Sequence, residues 1–309
     1  MSDRNDSGDY RITTKNRHKR PIVSETPRPQ KKREPSAWWS ILNELGIQPS
    51  KALGQNFLHD RAIVRRIAES AEIAAGALVV EIGPGLGVLT QELAERAGRV
   101  IAIELDPRLA SYLRERDLSH TEIVESDILQ TDLRVLTGGE PYVVVANLPY
   151  SVATAAITHL LESSAPPARL VVMVQREVAE RIVAAPPSMN LLAVSVQLFG
   201  HPRMMFTIGP GAFVPAPTVE SAVIRIDVYD QSAIEPAERK VFFQMVKAGF
   251  RQKRKQLANA LTAAPGLNKE NVEPALIASG IDPTRRAQTL SLDDWVRLHG
   301  ALRGLRADA

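Results

Sequence analysis

The chain has no cysteine in 309 residues, which excludes disulfides, cysteine-ligated zinc, iron–sulfur clusters and thiol nucleophiles together. Histidine is nearly as scarce. The six present (His18, His59, His120, His159, His201 and His299) are scattered with no two at a ligand spacing, so no metal is expected. No apolar run approaches the roughly 18–20 residues of a membrane span. The N-terminus is polar and basic, without the apolar stretch of a secretory signal. The expectation is a soluble, cytoplasmic protein with no membrane partner. At 44% hydrophobic and 24% charged residues the composition is globular, which excludes collagen, coiled coil and wholesale disorder.

Net charge is +3, and its distribution says more than its sum. Residues 1–36 carry ten Lys/Arg against five Asp/Glu, leaving 28 basic and 30 acidic residues for the remainder. Overall basicity therefore belongs to the tail and does not by itself make the folded part a nucleic-acid binder. Residues 1–36 show no apolar periodicity and hold Pro21, Pro27, Pro29 and Pro35, so they are expected to be a disordered basic tail. Their Lys/Arg clusters could lie on phosphates or simply be solvated.

Order is expected to start near Trp38, with a short helix to Leu45 and a second over about Asp60–Glu72. Apolar, β-rich runs follow at Ala77–Ile82, Val100–Ile103, Glu122–Val124, Tyr142–Ala146 and Leu170–Val174. Helical patterns at 88–97, 107–116, 152–163 and 176–184 separate them. Continuous rather than alternating apolar runs suit strands covered on both faces. The alternation predicts an α/β fold, a Rossmann-like doubly wound and mostly parallel sheet. A strand at Ala222–Val228 should close this domain, placed at 37–230. Residues 231–309 read as a small all-α C-terminal domain, with Phe242, Phe243, Val246 and Phe250 at helical spacing.

Candidate chemistry collects where strands end. Val80-Glu81-Ile82-Gly83-Pro84-Gly85-Leu86-Gly87 runs from a strand through a glycine turn into a helix, where backbone can approach a ligand closely. The dinucleotide fingerprint fails because Val88 stands at its third glycine. The Gly-x-Gly-x-Gly spacing after an acid is similar to the first motif of S-adenosylmethionine (SAM) methyltransferases, and a purely structural turn stays open. Glu104 ends the next strand, where a carboxylate can accept both ribose hydroxyls of SAM or of a nicotinamide cofactor. Asp127 ends the third strand and suits an adenine amino group or a helix cap. Asn147-Leu148-Pro149-Tyr150 follows the fourth strand: an amide acceptor, a stiff turn, and a ring that can stack a base. Open parallel sheets bind ligands along this edge.

With those residues in hand, the chain resembles the ribosomal RNA adenine N6,N6-dimethyltransferases, the kasugamycin-resistance family, over residues 41 to about 300. Lys51-Ala52-Leu53-Gly54-Gln55-Asn56-Phe57-Leu58 is similar to the family's N-terminal signature, Asn147–Tyr150 to its catalytic motif, and Phe213-Val214-Pro215-Ala216-Pro217 to its Phe-x-Pro-x-Pro loop. The resemblance implies SAM as cofactor, held by Gln55, Asn56, Leu58, Gly83, Gly85, Glu104, Asp127 and Asn147. It implies catalysis by Asn147, Leu148, Pro149 and Tyr150, with Tyr150 and Phe213 sandwiching the base. The implied reaction is N6,N6-dimethylation of two adjacent adenosines near the 3′ end of 16S rRNA in the small ribosomal subunit, by a monomer, as part of subunit biogenesis. Two features depart from the family: Met189-Asn190 stands where an aromatic–Gly pair is common, and the basic tail is longer.

Lys247, Arg251, Arg254 and Lys255 fall at i, i+4, i+7 and i+8, one face of a helix. Such a stripe is either a solvated face or a seat for RNA phosphates, and the resemblance favours RNA. The competing readings are a methyltransferase for large-subunit rRNA or DNA, a non-catalytic assembly factor, and a nicotinamide dehydrogenase.

Overall fold

Residues 37–49 and 55–307 are described by the computed structural model; the expectations for the tail and for Lys51–Gly54 lie outside the described residues. In chain order the elements begin with α1 (Ala37–Glu44), the two-residue β1 (Phe57–Leu58) and α2 (Arg61–Ser70). Then come β2 (Leu78–Ile82), α3 (Val88–Ala94), β3 (Arg99–Glu104), α4 (Pro107–Arg114) and β4 (Thr121–Glu125). The alternation continues with α5 (Leu133–Thr137), β5 (Tyr142–Asn147), α6 (Ala153–Glu162), β6 (Arg169–Gln175) and α7 (Arg176–Ile182). Next are α8 (Leu191–Gln197), β7 (Gly200–Ile208), β8 (Phe213–Val214) and β9 (Ser221–Val228). Four helices follow: α9 (Arg239–Arg251), α10 (Leu257–Leu261), α11 (Lys269–Ala278) and α12 (Leu292–Ala307). Asp60, Asp106 and Asp132 each cap a helix by accepting first-turn N–H groups, at the starts of α2, α4 and α5.

The sheet has seven strands in the order β4-β3-β2-β5-β6-β9-β7. β4 through β6 run parallel, while β9 and β7 are antiparallel. Strand order reverses between β2 and β5, the place where a parallel sheet opens a crevice beyond its carboxyl ends. Register brings Ile82 beside both Ile103 and Ala146, so the residues after β2, β3 and β5 converge there.

Alternate residues of each central strand enter different cores. Val80, Ile82, Val144, Val172 and Ile224 face one cluster, while Val79, Val100, Val145, Val171 and Val223 face another under α2 and α3. All five residues of β2 are buried, and each of its four apolar side chains contributes about 1.5–3 kcal/mol. The first cluster continues without a break into Phe242, Val246, Trp295 and Leu298 of the C-terminal helices. A third cluster seats Leu42 and Ile47 beside Phe57, Leu86 and Leu109.

The sheet does not close at β9. β7, which the sequence pattern does not suggest, is the edge strand, and β9 lies between it and β6. Pro202 within the run and an alternating buried/exposed pattern are what an edge strand tolerates, and they disguise it from a search for continuous apolar runs. The helix α8 before it is likewise absent from the sequence pattern.

Candidate active site

The glycine turn leaves β2 with Gly83, Gly85 and Gly87 at φ +68°, +58° and +80°. A Cβ at Gly85 would stand 3.0 Å from the Phe57 ring, and one at Gly87 2.6 Å from Leu113 Cδ2. Both positions therefore require glycine for conformation and for space. Glu81, the acid ahead of the turn, is 1% exposed. Burial, first, and the nearby Glu104 charge push its carboxyl up to about 8. The neighbouring Thr90 hydroxyl works the other way, yet neither Glu81 Oε2 nor Thr90 Oγ1 finds a partner of hydrogen-bond geometry.

Glu104 is 7% exposed and braces the same turn. Its Oε2 accepts the Gly85 N–H at 3.1 Å, and its Oε1 accepts those of Leu105 and Asp106 at 2.9 and 3.0 Å. Burial raises its pKa and these three donors oppose the rise. A carboxylate has about four lone-pair positions, so three are already engaged and one, on Oε2, remains. The expectation that Glu104 accepts both ribose hydroxyls is thereby narrowed to one while the turn keeps this conformation.

Asn147 closes β5. Its Nδ2 donates to the Asn56 carbonyl at 3.2 Å, which assigns the other end of the amide, Oδ1, as the acceptor for a ligand. Leu148 is 1% exposed and anchors the turn, and the Pro149 carbonyl takes the N–H groups of Val152 and Ala153. The half-buried Tyr150 meets Ser221 Oγ through its hydroxyl at 2.6 Å, and burial raises its pKa against that bond.

Three cavities adjoin along this edge. The middle one, of about 90 Å³, is lined by Gln55, Asn56, Leu58, Glu81, Gly83, Gly85, Glu104, Asn147 and Tyr150. Sharing Gln55, Gly83, Glu104 and Pro149 with it is a larger one of about 540 Å³, walled by Leu105, Asp127 and Ile128. On the other side, sharing Asn56 and Tyr150, lies one of about 170 Å³ bounded by Gln175 and the Pro215–Val219 loop. The residues anticipated on the sheet edge are thus brought together, with Asp127 in the outer cavity. Asp127 also accepts the Leu129 N–H at 2.9 Å, so it serves as a local cap while facing that cavity. Sequence reasoning missed Leu105 and Ile128, each one residue beyond a strand-end acid, and Trp38, which reaches the middle cavity from α1.

Two expectations require correction. Phe213 lines none of these three cavities. It is 3% exposed, pairs with Leu58 in the β1–β8 ladder, and packs in the cluster under α2. Its ring is withdrawn from the crevice in this conformation, and the cavity beside Tyr150 is bounded by the Pro215–Val219 loop. The basic residues do not share one helix face either. α9 ends at Arg251, and Arg254 and Lys255 lie in the turn that follows, where the chain bends to bury Leu257. Lys247, Arg251, Arg254 and Lys255 are all exposed, and Lys253 joins them. Lys247, Arg251 and Lys253 line a groove of about 1120 Å³ with Arg181 and Met189. At the departure from the family pattern, Asn190 caps α8 through the Ala193 N–H at 3.1 Å, and Met189 is buried at 3% exposure.

Among the described residues no group of three or more His, Asp or Glu is placed to hold a metal ion, and no helix is long and apolar enough to cross a membrane.

The family model described as ribosomal RNA adenine dimethylase matches residues 47–303. The chain is 40% identical over 255 residues to a ribosomal RNA small subunit methyltransferase A of Dehalococcoides mccartyi, covering 82% of this chain and 88% of that one. A protein of the same name from Moorella thermoacetica is 40% identical over 283 residues, 87% and 97% of the two chains. Among solved structures, the 23S rRNA methyltransferase ErmE superimposes with a TM-score of 0.66 at 29% identity, covering 80% of this chain and 100% of that one. A dimethyladenosine transferase from Plasmodium falciparum, 24% identical with a TM-score of 0.65 and coverage of 78% and 95%, shares the fold. Matched across most of its length by the family model and by these relatives, the chain belongs to the ribosomal RNA adenine dimethylase family.

Proposed function

We propose that this SAM-dependent rRNA methyltransferase places two methyl groups on N6 of each of two adjacent adenosines near the 3′ end of small-subunit rRNA, in the cytoplasm, during subunit biogenesis. The observation that carries the reading is Asn147, whose Nδ2 is engaged by the Asn56 carbonyl so that its Oδ1 is left to accept in the middle cavity, which shares Asn56 and Tyr150 with the base-side cavity. The residues fit the cofactor. Gly83 and Gly85 bring bare backbone to the wall of the middle cavity, Glu104 keeps one lone pair on Oε2, and the outer cavity has apolar walls at Leu105 and Ile128 for a flat ring. Gln55, Asn56, Leu58, Gly83, Gly85, Glu104 and Asp127 would hold it. When bound, SAM supplies an electrophilic methyl on a sulfonium.

The chain's own task is to make an aromatic amine nucleophilic. The N6 lone pair is delocalised into the purine. Hydrogen bonds from the amino group to Asn147 Oδ1 and the Leu148 carbonyl favour a pyramidal nitrogen, with fixed dipoles stabilising the charge that develops there. Pro149 keeps that corner stiff. Tyr150, fixed through Ser221, stacks the base once it has left its own stack, a contact of roughly 1–3 kcal/mol. The proton leaves to water, since an N-alkylated aminium is acidic, so no side-chain base is required. The exposed Lys247, Arg251, Lys253, Arg254 and Lys255 offer phosphates a basic groove and the turn beside it. We take the helices from residue 231 onward as the RNA-facing part of the chain.

A large-subunit target is the second reading, favoured by the likeness to ErmE. Labelling unmethylated small subunits, large subunits and DNA with tritiated SAM, followed by nucleoside analysis, separates the two. Dimethyladenosine from small subunits alone is the expected result, and label on large subunits overturns it.

A further inference from the structure

The cavity beside Tyr150 contains an amide that the reaction as derived leaves unused. Gln175 ends β6, is half-buried, and its side chain makes no hydrogen bond with any described residue. Its backbone is nevertheless held on both sides. Gln175 pairs with Ser221 across the antiparallel ladder, and the next N–H, that of Arg176, donates to the Glu220 carbonyl at 2.9 Å. The Arg176 guanidinium also reaches Glu220 at 2.7 Å and Glu180 at 2.8 Å. Ser221 is the residue that fixes the Tyr150 hydroxyl. Ring and carboxamide are therefore positioned from one point, on two walls of the same cavity of about 170 Å³, with Asn56 and Pro217 completing it. An unengaged amide on rigid backbone beside a stacking ring suits the recognition of a base edge.

We propose that Gln175 selects the target base by donating from Nε2 to the ring nitrogen next to the reacting amine, N1 of adenine. The proposal rests on the adenine reading given above. With both amino hydrogens taken by Asn147 and Leu148, the neighbouring ring nitrogen is the remaining acceptor on that edge. Guanine carries a proton there and would set donor against donor, so a site built for this bond rejects it strongly.

The test uses the full chain and small subunits reconstituted with rRNA carrying adenosine or 1-deazaadenosine at one target position. Replacing N1 by C–H should lower kcat/KM about tenfold for the wild type, the loss of one hydrogen bond. Gln175→Ala and the length-matched Gln175→Met should lose about as much on adenosine, with unchanged SAM affinity and melting temperature, and should no longer distinguish 1-deazaadenosine from adenosine. A full deaza penalty surviving in both variants, or adenosine activity unchanged in both, overturns the role of Gln175. A wild-type chain that leaves the unmodified particle unlabelled overturns the adenine reading itself, so the two failures are distinct.

Discussion

The carboxyl of Glu81, buried without a partner for Oε2, should give the protein a pH-dependent stability that one substitution removes. Its pKa moves from an ordinary 4.5 to about 8 on folding. The folded state therefore holds a proton that the unfolded chain releases across that window, and this contribution to stability is complete below 4.5 and is lost as pH rises toward 8. Between about pH 5.5 and about pH 7.5 the linkage amounts to roughly 2.5 kcal/mol. For a chain of this size that corresponds to a fall in melting temperature of about 5–10 °C. Asp106, Asp227 and Asp294 have lowered pKa values and stay ionised throughout the window. Glu104 is raised as well, by burial first, and contributes in the same direction. Glu81→Gln keeps the shape and removes the titrating group. Melting temperature measured by calorimetry at several pH values should fall with pH in the wild type and be markedly flatter in the variant. Parallel curves for the two proteins would refute the reasoning, because the slope would then come from elsewhere.

Asn147→Ala should lower kcat by about two to three orders of magnitude, as loss of a fixed acceptor at developing charge does, while SAM affinity measured by titration changes far less; a collapse of both would make Asn147 a cofactor residue. Glu104→Gln sets an NH2 against at least one of the backbone N–H groups of Gly85, Leu105 and Asp106, and SAM affinity should fall about ten- to a hundredfold; an affinity within twofold of wild type contradicts the bracing role. Neutralising Arg251 and Arg254 together should weaken particle binding and flatten its dependence on salt, by roughly one unit of slope for each phosphate no longer neutralised, and an unchanged slope removes these residues from the interface.

Most of the alternation of strands and helices through β6 was legible because its signals are local. Unbroken apolar runs marked β2, β3, β5 and β6, helical patterns marked most of the segments between them, and the acids and the Asn-Leu-Pro-Tyr turn stood near the ends of those runs. Along a parallel sheet this is enough to place Glu81, Glu104, Asp127 and Asn147 on one edge. The sequence thus determined by itself the fold class, the crevice and the chemical types facing it, since each depends on periodicity and turn chemistry within a few residues.

Interactions between distant segments decided the rest. Only the folded chain puts β9 between β6 and β7, draws Phe213 into the core through its pairing with Leu58, and ends α9 at Arg251 so that Leu257 is buried. The acceptor end of Asn147 is set by a carbonyl 91 residues earlier, and the lone pairs left on Glu104 depend on a turn 19 residues before it. Burial and hydrogen-bond partnership are properties of the neighbours a residue acquires, and no pattern along the chain names those neighbours.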